Sequence, residues 1–180
     1  EKFCPKGLKQ LLLTHPDQDH LGGAEFLLKN IPVSTVIYNG EWRDNRSNSN
    51  LRDTIEDLQI DLQEDLPGML LDKSKTVRLK VMGPPPTGVC KSGNERSIIL
   101  LVEYFNTRIL LNADAGFEEE EWLLNWGEII SGIDILKLGH HGSSGSSSAE
   151  FLEFTQASLG LISAGRRNRY GHPAAELLQR

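Results

Sequence analysis

The chain has 180 residues, with 19 Lys plus Arg against 25 Asp plus Glu, so the formal net charge is −6. This length suits one domain with a sizeable core, and 38% apolar with 24% charged residues argues against wholesale disorder. No run approaches the ~18 apolar residues of a membrane span, the two cysteines Cys4 and Cys90 cannot build a disulfide scaffold, and the acidic balance excludes a passive nucleic-acid coat, which would be basic.

The elements alternate along the chain. Lys9 to Thr14 is a short apolar run that reads as a buried strand. Leu21 to Asn30 has helical apolar spacing and stops at Pro32. Ser34 to Tyr38 is β-branched and reads as a strand, and Asn39 to Asn50 as a polar loop. Leu51, Ile55, Leu58 and Leu62 predict an amphipathic helix over Leu51 to Leu66, closed by Pro67-Gly68. Thr76 to Met82 alternates as a half-buried strand, and Gly83 to Gly93 is a Pro/Gly-rich loop. Ser97 to Phe105 and Arg108 to Asn112 predict a hairpin turning at Asn106-Thr107. Phe117 to Trp126 is a helix whose glutamates, Glu118 to Glu121, sit at its N-terminus and read as a solvated face. Ile133 to Leu138 is a strand, Gly142 to Ser148 a Gly/Ser loop, Ala149 to Gln156 a helix, Leu159 to Ser163 a strand and Pro173 to Arg180 a helix. Strands alternating with helices predict an α/β fold, here one domain over residues 1–180.

The five histidines, His15, His20, His140, His141 and His172, all lie in short polar stretches that end apolar runs. The densest stretch is Thr14-His15-Pro16-Asp17-Gln18-Asp19-His20-Leu21-Gly22-Gly23, directly after the first strand. Two His and two Asp within six positions on one turn can point into one cavity, and the Gly-Gly step permits close backbone approach. Such a set can serve two metal ions a few Å apart. With Asp17 among the donors the site is rich in oxygen ligands, which favours Mn²⁺ first and Zn²⁺ second. A second cluster is basic: Arg166, Arg167 and Arg169 with Tyr170 and His172. Guanidinium groups fork onto phosphate oxygens and a tyrosine can stack on a base. Taken alone, Asp114 reads as a helix cap, His140-His141 as a strand-to-loop turn, and Trp42, Trp122 and Trp126 as packing residues, Trp42 being also a lesser candidate for base stacking.

The run His-x-Asp-x-Asp-His-x-Gly-Gly resembles the metal-binding signature of metallo-β-lactamase-fold hydrolases. Leu110 to Gly116 resembles the strand end that supplies the family's bridging aspartate, and Leu136 to Ser143 the strand end that supplies a late histidine. With Gly165-Arg166-Arg167-Asn168-Arg169-Tyr170-Gly171-His172-Pro173 following in order, the chain is most similar to the C-terminal hydrolase domain of ComEC-type competence membrane proteins. The resemblance implies a four-layer αββα sandwich, here lacking its first strands, since only about a dozen residues precede His15. It implies His15 and Asp17 on a first metal, Asp19 and His20 on a second, Asp114 bridging both, and His140 or His141 completing the second site, with His140 preferred as the first after its strand.

By the same resemblance the chain is a metal-dependent hydrolase, a DNase of DNA uptake working by attack of metal-activated hydroxide. Two divalent ions would be its cofactors, with no small organic cofactor. Asp19 would also orient the water or accept its proton, and His172 would donate one. Ser143, Arg166, Arg169 and Tyr170 would contact the substrate. The expected partners are DNA, single-stranded, and the membrane channel portion of the same parent protein. The domain would lie on the extracytoplasmic side of the cytoplasmic membrane, the fragment itself being soluble. Residues 21–113 contain no histidine, and Asn94 stands where the superfamily carries a His ligand for the first metal. The alternatives are a hydrolase of a small ester, lactone or phosphodiester on the same fold, and a degenerate module that only binds DNA.

Overall fold

The computed structural model describes residues 6–64, 67–74, 76–86 and 96–180. Cys4, Cys90 and Asn94 lie outside the described residues. The chain divides into two compact units, residues 1–65 and 66–180.

The first unit is built from parallel strands joined by helices. Strand β1 (Leu8–Leu13) leads into two short helices, α1 (Gln18–Leu21) and α2 (Ala24–Asn30). Strand β2 (Val33–Tyr38), helix α3 (Arg46–Asp57) and strand β3 (Asp61–Glu64) follow. The sheet order is β1-β2-β3, with Leu13 beside Tyr38 and Tyr38 beside Glu64. All pairs are parallel, so each connection must cross over the sheet, and the helices serve that purpose. Leu13, Leu21, Leu28, Val36, Leu51 and Ile55 form the core of this unit. Burying such side chains contributes roughly 1.5–3 kcal/mol each.

The second unit holds a six-stranded mixed sheet in the order of the chain. Strands β4 (Leu70–Lys73), β5 (Val77–Gly83), β6 (Ile99–Tyr104) and β7 (Thr107–Leu111) pair antiparallel. Strands β8 (Ile135–Lys137) and β9 (Leu159–Leu161) then add in parallel. Helix α4 (Phe117–Leu124) makes the crossover from β7 to β8, and α5 (Ala149–Thr155) the one from β8 to β9. A last short helix, α6, covers Ala175–Leu178. The core gathers Met82, Ile99, Leu110, Leu123, Leu136 and Phe151. Among the described residues no helix is long and apolar enough to cross a membrane.

The expected α/β class is the one observed, with a parallel first sheet and a mixed second one. Four local expectations are corrected. The polar stretch 39–50 is not all loop: Asn45 caps α3, its side chain accepting from Asn48 N, so the helix starts at Arg46. That helix ends at Asp57, and Asp61–Glu64 is the exposed strand β3; the spacing of Leu58 and Leu62 is carried by two different elements. The β6–β7 hairpin turns at Phe105-Asn106, one residue earlier than expected, because Tyr104 pairs with Thr107. The glutamates of α4 are not all solvated: Glu119 and Glu120 are buried. Trp42 stacks on Tyr38 at 5.1 Å between ring centroids, and Trp122 meets Trp126 edge-on, so all three tryptophans have aromatic packing partners.

Candidate functional site

In the first unit the donors lie on the turn after β1. His15 is 1% exposed, and its ring centroid lies 4.1 Å from that of His20. Thr14 Oγ1 stands 3.1 Å from His15 Nδ1 and 3.3 Å from His20 Nδ1. A hydroxyl oxygen has two lone pairs, so in one pair of tautomers it accepts from both Nδ1–H groups, and both Nε2 atoms then present lone pairs. Asp19 Oδ2 is 3.8 Å from His20 Nε2. Asp17 sits at the N-cap position of α1, where its carbonyl accepts from Leu21 N at 3.0 Å, while its carboxylate pairs with Arg43. The turn is braced from α3: buried Asn48 donates through Nδ2 to Pro16 O at 3.2 Å and accepts from Arg43 N at 3.1 Å.

In the second unit the donors lie at the C-terminal ends of parallel strands, where open α/β sheets gather ligands. Leu111 pairs with Lys137, and Lys137 with Leu161. Asp114 and His140 therefore leave their strands at matching offsets, and Ser163 lies two residues beyond the end of the next strand. The loops are tied together. His140 N donates to Ala113 O at 3.1 Å, and Lys137 Nζ to the same oxygen at 2.6 Å. Burial pushes the Lys137 ammonium pKa below its ordinary value, with the nearby Asp114 charge opposing that shift.

Asp114 is 3% exposed. Its Oδ2 lies 3.3 Å from His141 Nε2 and 3.9 Å from His140 Nε2. His141 Nδ1 stands 2.7 Å from the Ser163 carbonyl oxygen. A carbonyl only accepts, so Nδ1 carries a proton, and Nε2 is the ring nitrogen that faces Asp114. Metal-binding histidines are oriented in this way by a carbonyl on the far nitrogen. His140 and His141 have φ of 42° and 53°, a left-handed conformation that is uncommon outside glycine and concentrates at functional sites.

The basic cluster is a loop after β9 shaped by one side chain. Asn168 donates through Nδ2 to Gly165 O at 2.8 Å and to His172 O at 2.6 Å, and accepts from His172 N at 2.9 Å. Arg166, Arg167 and Arg169 stay exposed on it, and Tyr170 is 67% exposed. Arg169 donates to Tyr170 Oη at 2.5 Å. Tyr170 stacks on His172 at 5.8 Å, and His172 meets the His140 ring at 5.9 Å. The basic loop thus runs through its rings toward Asp114. Ser143 is half-buried, its carbonyl accepting from Ser146 Oγ at 3.0 Å.

The first unit brings His15, His20 and Asp19 together, with the Asp17 carboxylate paired to Arg43, and the second gathers Asp114, His140, His141 and His172. A set of imidazoles and carboxylates, with a buried carboxylate facing imidazole nitrogens, fits divalent metal ions. The sequence reading missed Thr14, Arg43, Asn48, Ser163 and Asn168, which hold the donors in place. It also missed Glu119 and Glu120, although both share a helical face with Leu123, three or four residues on, and that spacing was visible.

The chain is 34% identical over 177 residues to ComE operon protein 3 of Bacillus subtilis, covering 97% of the chain and 22% of that protein. It is 28% identical over 173 residues to Recombination protein 2 of Haemophilus influenzae, covering 96% of the chain and 20% of that protein. The chain thus spans about a fifth of the length of these curated relatives. Among solved structures, the metallo-beta-lactamase fold protein YhfI of Bacillus subtilis aligns with TM-score 0.50 at 10% identity, over 87% of the chain and 67% of that chain. The CmlA beta-hydroxylase E377D mutant aligns with TM-score 0.51 at 17% identity, over 82% of the chain and 28% of that chain. Both likenesses are of fold. Residues 2–166 match the Metallo-beta-lactamase superfamily, and the chain belongs to that superfamily.

Proposed function

We propose that the chain is a metal-dependent phosphodiesterase acting on DNA, the hydrolase part of a longer competence-type DNA-uptake protein. The observation that carries this reading is Asp114, a buried carboxylate with His141 Nε2 at 3.3 Å and His140 Nε2 at 3.9 Å. The relatives named above, together with Competence protein ComA of Neisseria gonorrhoeae, 34% identical over 89 residues, support the DNA-uptake setting. The family match runs over residues 2–166, which supports reading the chain as a single domain.

By the family resemblance His15 and Asp17 would hold one divalent ion, Asp19, His20 and His141 the other, and Asp114 would serve both. His141 replaces His140 in this assignment because its Nδ1 is committed to the Ser163 carbonyl. Three carboxylates among the donors favour Mn²⁺ over Zn²⁺. Bound ions of this kind supply an activated water and neutralise charge on a phosphoryl group. Asp19, whose side chain is 63% exposed, accepts the proton of the attacking water. His172 donates a proton to the departing oxygen. Arg166 and Arg169 fork onto phosphate oxygens, and Ser143 adds a hydroxyl. The exposed face of Tyr170 stacks on an unpaired base, which favours single-stranded DNA. The membrane channel of the same parent protein is the proposed partner, with the domain on its extracytoplasmic side.

The test is cleavage of end-labelled single-stranded DNA with Mn²⁺, with EDTA and Asp19→Ala as controls. Loss of cleavage in both controls is the expected result, and activity that falls steeply with rising salt distinguishes DNA from an uncharged ester or lactone. No cleavage by folded, Mn²⁺-loaded protein overturns the nuclease reading.

A further inference from the structure

We infer that two adjacent buried carboxylates of α4, Glu119 and Glu120, are positioning residues for the ligand loops: Glu119 for Asp114 and Glu120 for His141. The inference rests on the metal-site reading above and extends it to residues that touch neither ion nor substrate.

Both glutamates are 0% exposed. Burying a carboxylate is costly unless its oxygens receive hydrogen bonds, so the donors they meet are informative. They include four backbone N–H groups, all on or beside the ligand loops, and the Ser148 side chain, which also bonds Glu120. Glu119 Oε1 accepts from Ser97 N at 2.9 Å, and its Oε2 from Gly116 N at 2.9 Å. Ser97 Oγ in turn accepts from Asp114 N at 3.3 Å. One carboxylate therefore fixes the residue entering β6 and the far end of the 112–116 turn, and Asp114 is held between them.

Glu120 does the same for the next loop. Its Oε1 accepts from Ser147 N and its Oε2 from Ser148 N at 2.8 Å. Ser147 Oγ accepts from Gly139 N at 3.4 Å, and Ser146 Oγ donates to Gly139 O at 2.9 Å. The turn carrying His140 and His141 thus rests on the 146–148 turn, whose N–H groups end on Glu120. The carbonyls of Ser144 and Ser146 accept from Arg180, each at 2.7 Å. Helix α4 is itself fixed by Leu123, which is fully buried in the core. An apolar side chain could fill the same space, but it would leave four N–H groups without acceptors and would not set the position of either loop.

The two glutamates act on different ligands, so their effects separate. By the resemblance Asp114 would serve both ions and His141 one. The experiment titrates Mn²⁺ into the metal-stripped 180-residue chain and its Glu119→Gln and Glu120→Gln variants by calorimetry, with thermal melts of the same metal-free proteins. Glutamine keeps the shape but turns one acceptor into an NH₂ facing a backbone N–H. The expected result is a weakening of Mn²⁺ binding by about 10–100-fold, the usual effect of losing a group that orients a ligand, at both sites in Glu119→Gln and at one site in Glu120→Gln. Unchanged Mn²⁺ affinity with only a lower Tm shows a purely structural role and overturns the inference. If a glutamine variant does not fold, Ser147→Ala removes only the hydroxyl that receives Gly139 N, and wild-type affinity there overturns the Glu120 assignment. A wild-type chain that takes up no Mn²⁺ instead sinks the metal-site reading, and the inference with it.

Discussion

His141 Nε2 lies 3.3 Å from Asp114 Oδ2. The contact gains meaning from the other end of the ring, where Nδ1 is 2.7 Å from the Ser163 carbonyl oxygen. That carbonyl fixes the proton on Nδ1 and leaves Nε2 facing the carboxylate, and it lies two residues beyond β9, the strand paired with β8. His140, the first histidine after β8, is farther from the carboxylate, at 3.9 Å, and its ring meets His172 instead. His141→Ala is therefore expected to lower the Mn²⁺ content from two ions to one and to slow DNA cleavage on the order of 100-fold or more, as loss of a metal ligand does. His140→Ala is expected to retain both ions. Metal analysis of the two purified variants checks this, and the reverse pattern assigns the ligand to His140.

The donors themselves were legible in the sequence because metal chemistry needs particular side chains at strand ends, and strand ends are visible as breaks in apolar runs. His15 to His20 and Asp114 each follow such a break. The choice between His140 and His141 was not legible. It depends on the Ser163 carbonyl, a backbone group more than twenty residues away, which no side-chain pattern records. Strand β3 was hidden for a different reason. All four of its residues are exposed, so it lacks the apolar alternation that marks a strand, and Leu62 sits at a helical interval from Leu58 by coincidence. Glu119 and Glu120 were hidden by composition, since a run of four glutamates at a helix start reads as solvent-facing unless its phase against Leu123 is followed.

The basic loop predicts a separation of binding from chemistry. Arg166→Ala and Arg169→Ala are each expected to weaken single-stranded DNA binding and to reduce the salt slope of log K by about 1, as loss of one phosphate contact does. Asn168 does not reach substrate in this scheme. It makes the three hydrogen bonds that give the loop its shape, so Asn168→Ala is expected to raise KM by more than it lowers kcat. Arg169→Lys is not expected to restore binding, because the planar guanidinium lies over the Tyr170 ring at 4.8 Å and an ammonium cannot reproduce that stack and fork together. Steady-state cleavage at several salt concentrations reads all four variants.

Glu120 predicts a pH signature. Burial pushes its carboxyl pKa above the ordinary value of 4.5, with the Ser147 and Ser148 N–H groups and the Arg180 charge opposing the shift. Between 4.5 and the raised value the folded state binds the proton more tightly than the unfolded chain does. Stability from this group is therefore fully present below 4.5 and is lost as pH rises through the folded pKa. Glu120→Gln cannot titrate, so the stability difference, wild type minus variant, is expected to fall as pH rises above 4.5. Urea midpoints of the metal-free proteins measured across that range check the sign, and a difference that grows with pH contradicts it.

Gly139 predicts how closely the two ligand loops of the second unit must approach. Its φ of −65° and ψ of 155° suit any residue, so backbone freedom is not why glycine stands there. A Cβ at this position would lie 2.3 Å from the Ala115 carbonyl oxygen and 3.2 Å from Ser146 Cβ. The first of these is backbone and cannot rotate away, so the loop carrying Asp114 and the loop carrying His141 must separate to admit a methyl group. Overpacking of this kind costs roughly 1–3 kcal/mol, and at ~2–4 °C per kcal/mol for a chain this size Gly139→Ala is expected to lower Tm by roughly 2–12 °C. The same displacement lengthens the 3.3 Å separation of Asp114 and His141. Mn²⁺ affinity should therefore fall in step with Tm, and, unlike in a destabilising change elsewhere in the core, added Mn²⁺ should recover less of the lost Tm than it adds to the wild type. A variant that melts lower yet gains the full wild-type increment from Mn²⁺ would show that the two loops can part without disturbing the site.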